Sequence, residues 1–143
     1  MIVHVSNRQK TFKIIKPLIK KIAAEVIRFE GQKCDEVSIH FVSAKEIGEL
    51  HDQFFDDPSE TDCISLPIDD QTESHYRILG DVFVCPEVAV RYAKTHKKSV
   101  DDEVILYMIH GLLHLMGYDD IEAKERKSMR SAEKRHMAHL KLL

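Results

Sequence analysis

HGLLHLMGYDD, residues 110–120, ends an apolar run with two histidines four apart and closes, after a glycine, on two aspartates. Residues four apart on an α-helix share one face, with Cβ atoms about 5–6 Å apart, near enough for two imidazoles to share one ion. The run opens at Ser99, whose capping-box partner is Asp102, and stays nearly all apolar to Met116, where Gly117 stops it. A helix of that composition is buried, so His110 and His114 carry ring nitrogens that must be satisfied away from water. The competing reading is two core histidines with one hydrogen-bond partner each. Two on one face, at the end of the helix where the dipole favours a cation, point instead to a shared divalent metal. Position 111 is glycine where an HExxH peptidase needs its glutamate, so a zinc peptidase is disfavoured. Gly111 instead leaves room for another element or a bulky substrate.

A third ligand has to come from beyond Gly117. Asp119 and Glu122 have capping-box spacing for a terminal helix running from Ile121, so Asp119 is expected to cap it. Asp120 is then free to point back and complete a His₂Asp set with a fourth position open. His136 and His139 are rival third ligands, although a charged terminal helix more often exposes such residues.

Upstream, Met1–Ser6 is short and rich in β-branched residues. Ile14–Phe29 carries Leu18, Ile19, Ile22, Ala23, Val26 and Ile27 at helical spacing, with Pro17 in the first turn. Val37, Ile39 and Phe41 alternate with Ser38 and His40 as a strand does, and Ser43 with Glu46 opens a short helix. Residues 54–61 form a polar loop, Asp62–Leu66 a strand stopped by Pro67, and a second loop leads to a strand over Leu79–Cys85. Pro86 starts a further helix that continues to His96. With no repeat or linker, residues 1–143 are expected to form one α+β domain. Its sheet is mixed, of about four strands, with about five helices and the metal site on the buried one.

The hydrophobic fraction of 43% and charged fraction of 31% are ordinary for a soluble globular chain. No apolar run approaches the roughly 20 residues that span a bilayer and no leader follows Met1, so a cytoplasmic protein without a membrane partner is expected. Cys34, Cys63 and Cys85 are odd in number and lack CxxC spacing, which suits reduced, structural thiols. The net charge of −3 hides an asymmetry: eight Lys+Arg against two acids over residues 1–33, two against fourteen over 34–90, and eleven against eight over 91–143. Lys13, Lys16, Lys20, Lys21, Lys94, Lys97 and Lys98 could meet a polyanion, although solvated helix faces are the commoner reading of such lysines.

HGLLHLMGYDD resembles HGxLHLxGYDH, the signature of the YbeY family, bacterial rRNA maturation factors regarded as zinc-dependent, single-strand-specific endoribonucleases. TDCISLP, residues 61–67, is similar to the family's TDVLSFP strand, and LGDVFVCPE, residues 79–87, to its LGDIVICPE strand. The resemblance implies one Zn²⁺ per chain held by His110, His114 and position 120, where the family has histidine and this chain has Asp120. It also implies cleavage of ribosomal RNA in 16S rRNA 3′-end maturation and ribosome quality control, with the small ribosomal subunit as partner. Asp62, Cys63 and Ser65 lie on the strand that the family places near the pocket, and Asp119 adjoins it. Phe55 stands where the family usually has an arginine suited to stabilising phosphoryl charge, so no catalytic residue is assigned here. Losing one such donor typically costs about 10²–10³ in rate. A ribosome assembly factor with a structural metal and little cleavage is therefore the second reading. A metal hydrolase acting on a small molecule or peptide is the third.

Overall fold

The computed structural model describes residues 1–68 and 75–141. In strand β2 (Glu36–Phe41), Val37, Ile39 and Phe41 point to one side and are fully buried, while Glu36, Ser38 and His40 point to the other and are half-buried. That period of two makes one face of the sheet the core. β2 is flanked in parallel by β1 (Ile2–Asn7) and β4 (Ile78–Val84), and β3 (Cys63–Pro67) joins β4 antiparallel, giving the order β1-β2-β4-β3. The mixed four-stranded sheet agrees with expectation. The loop expected between Pro67 and Leu79 falls partly on residues 69–74, outside the described residues.

Five helices complete the domain: α1 (Lys16–Phe29), α2 (Ala44–Phe55), α3 (Pro86–His96), α4 (Val100–Leu115) and α5 (Ala123–Lys141). α1 begins with Pro17 in its first turn, where the missing N–H costs nothing, and buries Ile19, Ile22, Ala23, Val26 and Ile27. Leu18, assigned to that stripe by spacing, lies outside it and is exposed. α4 begins where its capping box is written, with the Ser99 hydroxyl accepting from the Asp102 N–H at 3.2 Å. It buries Val104, Met108, Ile109, Leu112 and Leu113 against the sheet. No helix among the described residues is long and apolar enough to cross a membrane.

Gly111 explains how closely α4 lies on the sheet. A Cβ at this position would come within 2.4 Å of Val82 Cγ1 and 3.3 Å of Ser65 Oγ. The space left by the missing side chain is filled by β3 and β4, not by a substrate. Ser65 uses that proximity to donate its hydroxyl to the Gly111 carbonyl at 2.8 Å, locking the histidine-bearing turns to strand β3.

Several boundaries differ from the sequence reading by a residue or two, Pro67 among them as the last residue of β3 where it was expected to stop the strand, and two differences bear on the site. The Ser43 capping box is present, its hydroxyl accepting from the Glu46 N–H at 3.1 Å, but α2 runs on to Phe55, so Phe54 and Phe55 end a helix instead of starting a loop. α5 begins at Ala123, with the Arg126 N–H donating to the Glu122 carbonyl. Asp119 is therefore too far upstream to cap it. Its carboxylate accepts instead from the next N–H in the turn, that of Asp120, at 2.8 Å.

Candidate metal centre

The last two turns of α4 bring His110 and His114 to one face, and the chain reverses at Gly117 with φ +102°, a conformation suited to glycine. The reversal is held by the Gly117 N–H on the His114 carbonyl and the Tyr118 N–H on the Leu113 carbonyl. It delivers Asp120 to the two rings. His110 Nε2 and His114 Nε2 are 3.0 Å apart, and Asp120 Oδ2 lies 3.5 Å from the first and 3.6 Å from the second.

Hydrogen bonds on the far side of each ring fix which nitrogen carries the proton. His110 Nδ1 is 2.7 Å from Glu133 Oε2, and His114 Nδ1 is 3.0 Å from the Tyr118 carbonyl oxygen. Both partners can only accept, so each Nδ1 is the N–H and each neutral ring turns the lone pair of Nε2 inward. With both rings neutral, three electron-pair donors face one another, whereas a proton on one Nε2 would let it donate to the other. A cation relieves that repulsion. Bonds of about 2.0–2.2 Å at tetrahedral angles place ligand atoms roughly 3.3–3.6 Å apart, close to the three separations here. His110, His114 and Asp120 could therefore hold one metal ion, and they form the metal-competent group found among the described residues. Asp120 already sits at ligand distance, so the turn does not have to move inward for its short side chain.

The surroundings add to the field. Burial pushes the His110 imidazole down, but the hydrogen bond and charge of Glu133, with the charges of Asp62 and Asp120, more than reverse this and leave its pKa above the ordinary value. Asp62 caps its own strand, its carboxylate accepting from the Cys63 N–H at 2.7 Å. Burial, with the charges of Asp62, Asp120 and Glu133, drives the Cys63 thiol well up, which keeps it protonated in the metal-free site. Burial likewise raises Cys34 and Cys85, and all three cysteines are free. His110, His114, Asp119 and Asp120 open onto a cleft of about 460 Å³, walled opposite by Asp62 and Ser65 and lipped by His51 and Phe55.

Glu133 is the functional residue that sequence reasoning missed. Its signal was present: it adjoins Met129, Ala132 and His136, the buried stripe of an otherwise charged α5. The rival ligands are committed elsewhere. His136 is fully buried, contrary to the exposure expected of it, and lies 2.7 Å from Glu30 Oε2. His139 lies 2.7 Å from Glu25 Oε1 and stacks on Phe29 at 4.1 Å. Glu30 also accepts from the Tyr118 hydroxyl at 2.8 Å, which ties the turn carrying Asp120 to the end of α1.

A carboxylate behind a ligating imidazole orients the ring and raises its basicity, and its loss typically costs about 10–100-fold in metal affinity. Glu133→Gln is expected to weaken metal binding to that extent at neutral pH. A site weakened to that extent should also lose its metal at a higher pH on acidification, because the proton then competes with a weaker metal bond. Metal titrations of parent and variant at a series of pH values check both effects.

Comparison with known proteins bears on what this centre does. The family model described as Endoribonuclease YbeY matches residues 4–141. An endoribonuclease YbeY of Protochlamydia amoebophila (strain UWE25) is 48% identical over 143 residues, covering 100% of this chain and 95% of the relative. That of Chlamydia felis (strain Fe/C-56) is 38% identical over 141 residues, covering 96% and 89%. Among solved structures, the solution structure of TM1509 from Thermotoga maritima matches with a TM-score of 0.67 and 29% identity over 94% of this chain and 86% of that one.

Proposed function

The chain belongs to the YbeY endoribonuclease family, and from that premise we propose that it cleaves single-stranded ribosomal RNA with one zinc ion held by His110, His114 and Asp120. The observation that carries this reading is the convergence of two histidine Nε2 atoms and one carboxylate oxygen at 3.0–3.6 Å. Two nitrogens and an oxygen with a fourth position open to a cleft suit a catalytic zinc site better than a closed structural one. Zinc so held supplies Lewis acidity, polarising a phosphoryl oxygen and acidifying a water. Glu133 and the Tyr118 carbonyl keep the two rings in register for binding. Phe55, 55% exposed at the lip, offers a ring on which a base can stack but no charge for a phosphate.

We extend this reading, on the family resemblance, to maturation of the 16S rRNA 3′ end and ribosome quality control on the small ribosomal subunit in the cytoplasm. Phe55 in the arginine's place favours the second reading, an rRNA-binding assembly factor with a structural metal. Metal analysis of protein purified without added metal or chelator, run beside cleavage of single-stranded and duplex rRNA fragments, separates the two. About one zinc per chain with metal-dependent cleavage confined to single strands is expected. Stoichiometric zinc with no cleavage of either substrate leaves the assembly factor standing instead.

A further inference from the structure

The metal centre is set among carboxylates: Asp62, Asp119, Asp120 and Glu133 all border it, and among the described residues no lysine or arginine lines the cleft of about 460 Å³. A polyanion that reaches the ligands from that side alone meets uncompensated negative charge. The opposite flank differs. A second hollow, of about 210 Å³, has Asp62, His110 and Asp120 on one wall and Arg126 and Arg130 of α5 on the other. It shares Leu106, Arg130 and Glu133 with an adjacent groove of about 570 Å³ between α4 and α5, lined also by Lys134 and Lys141.

Arg126, Arg130 and Lys134 recur every four residues, which places them in one row along α5 at steps of about 6 Å, comparable with the backbone repeat of a nucleic acid strand. All three are exposed. Arg126 donates to the Ile121 carbonyl and has no ion-pair partner among the described residues. Arg130 and Lys134 have no hydrogen-bond or ion-pair partner among the described residues, and the nearest acid on their helix, Glu133, is engaged by His110. By contrast, none of Lys13, Lys16, Lys20, Lys21, Lys94, Lys97 and Lys98 lines either hollow that contains the ligands.

We propose that this face of α5 is the track of the RNA strand, its phosphates running along Lys134, Arg130 and Arg126 into the metal centre. The proposal rests on the endoribonuclease reading and adds the path of its substrate. Charge complementarity and continuity with the ligands commit the groove to a nucleic acid backbone. Direct phosphate contacts release counterions, so each one lost from a single strand makes the slope of log affinity against log salt shallower by about 0.7.

The test measures binding of a labelled single-stranded RNA oligonucleotide to the zinc-loaded parent, the pair Arg130→Ala and Lys134→Ala, and a control pair Lys94→Ala and Lys97→Ala. Cleavage of the same RNA is followed in parallel. The α5 pair is expected to flatten the salt slope by about 1.4 and to raise KM more than it lowers kcat, with zinc content unchanged. The control pair should keep the parent's slope. An unchanged slope in the α5 pair, or an equal loss in the control pair, overturns the track. A parent that binds RNA without cutting it defeats the nuclease reading, while the slopes still decide the track. A parent that binds no RNA at low salt defeats both.

Discussion

Alanine at both His110 and His114 is expected to abolish stoichiometric metal and RNA cleavage while leaving the fold standing. The two rings lie at the mouth of the cleft with side chains 22% and 26% exposed, so their removal opens no sealed cavity in the core. The helix is held by other groups: Ile109, Leu112 and Leu113 are fully buried, and the Gly111 carbonyl keeps its bond from Ser65. What disappears is two of three donors, and the remaining Asp120 carboxylate alone does not retain a divalent ion against solvent. Thermal melting gives a second readout. A ligand that binds only the folded state stabilises it by RT ln(1 + [L]/Kd), about 4.1 kcal/mol at a thousandfold excess over Kd. Added zinc should therefore raise the melting temperature of the parent and leave the double variant where the chelated parent melts. Full metal retention in elemental analysis of the variant would sink the assignment.

The helix carrying those histidines was legible because every signal for it is local. Ser99 and Asp102 mark its start, an apolar run its burial and Gly117 its end, and the structure realises each within a residue or two. The same holds for the alternation of β2 and for the proline-led starts of α1 and α3. What periodicity does not contain is the identity of the opposite wall. Glu133 adjoins a legible buried stripe, but its partner His110 lies 23 residues away on another helix, as Glu30 lies 106 residues from His136, and spacing does not show either pairing. His136 was misjudged for the same reason: a charged helix still buries a stripe, and there His136 Nε2 meets Glu30 across the packing interface while its buried Nδ1 has no partner among the described residues. Asp119 shows the weakness of spacing as evidence for a cap. Asp-x-x-Glu fits both a helix start and a ligand-bearing turn, and the extra residues between Gly117 and Ala123 decided for the turn.

Asp120 carries the sharpest consequence of the chain's departure from its family's signature. Its Oδ2 stands at ligand distance from both imidazoles, and the turn that presents it is held by backbone bonds and by the Asp119 carboxylate, not by the Asp120 side chain. Asp120→Ala should accordingly keep the turn and the fold but bind zinc more weakly, since two donors remain where three stood. Asp120→His should retain binding through a third imidazole. It also raises the charge of the centre by one, because a carboxylate gives way to a neutral ring. A more positive centre takes up negative charge more readily, so any pH–rate profile of the histidine variant should lie at lower pH than that of the parent. A merely local role for the carboxylate predicts otherwise: Asp120→Ala would lose no more than about 1 kcal/mol of stability, as for a lost helix cap, with zinc affinity untouched. Zinc titrations of the parent and both variants separate the alternatives without relying on catalysis. Equal affinity in the parent and Asp120→Ala would falsify ligation by Asp120 and return the third position to solvent.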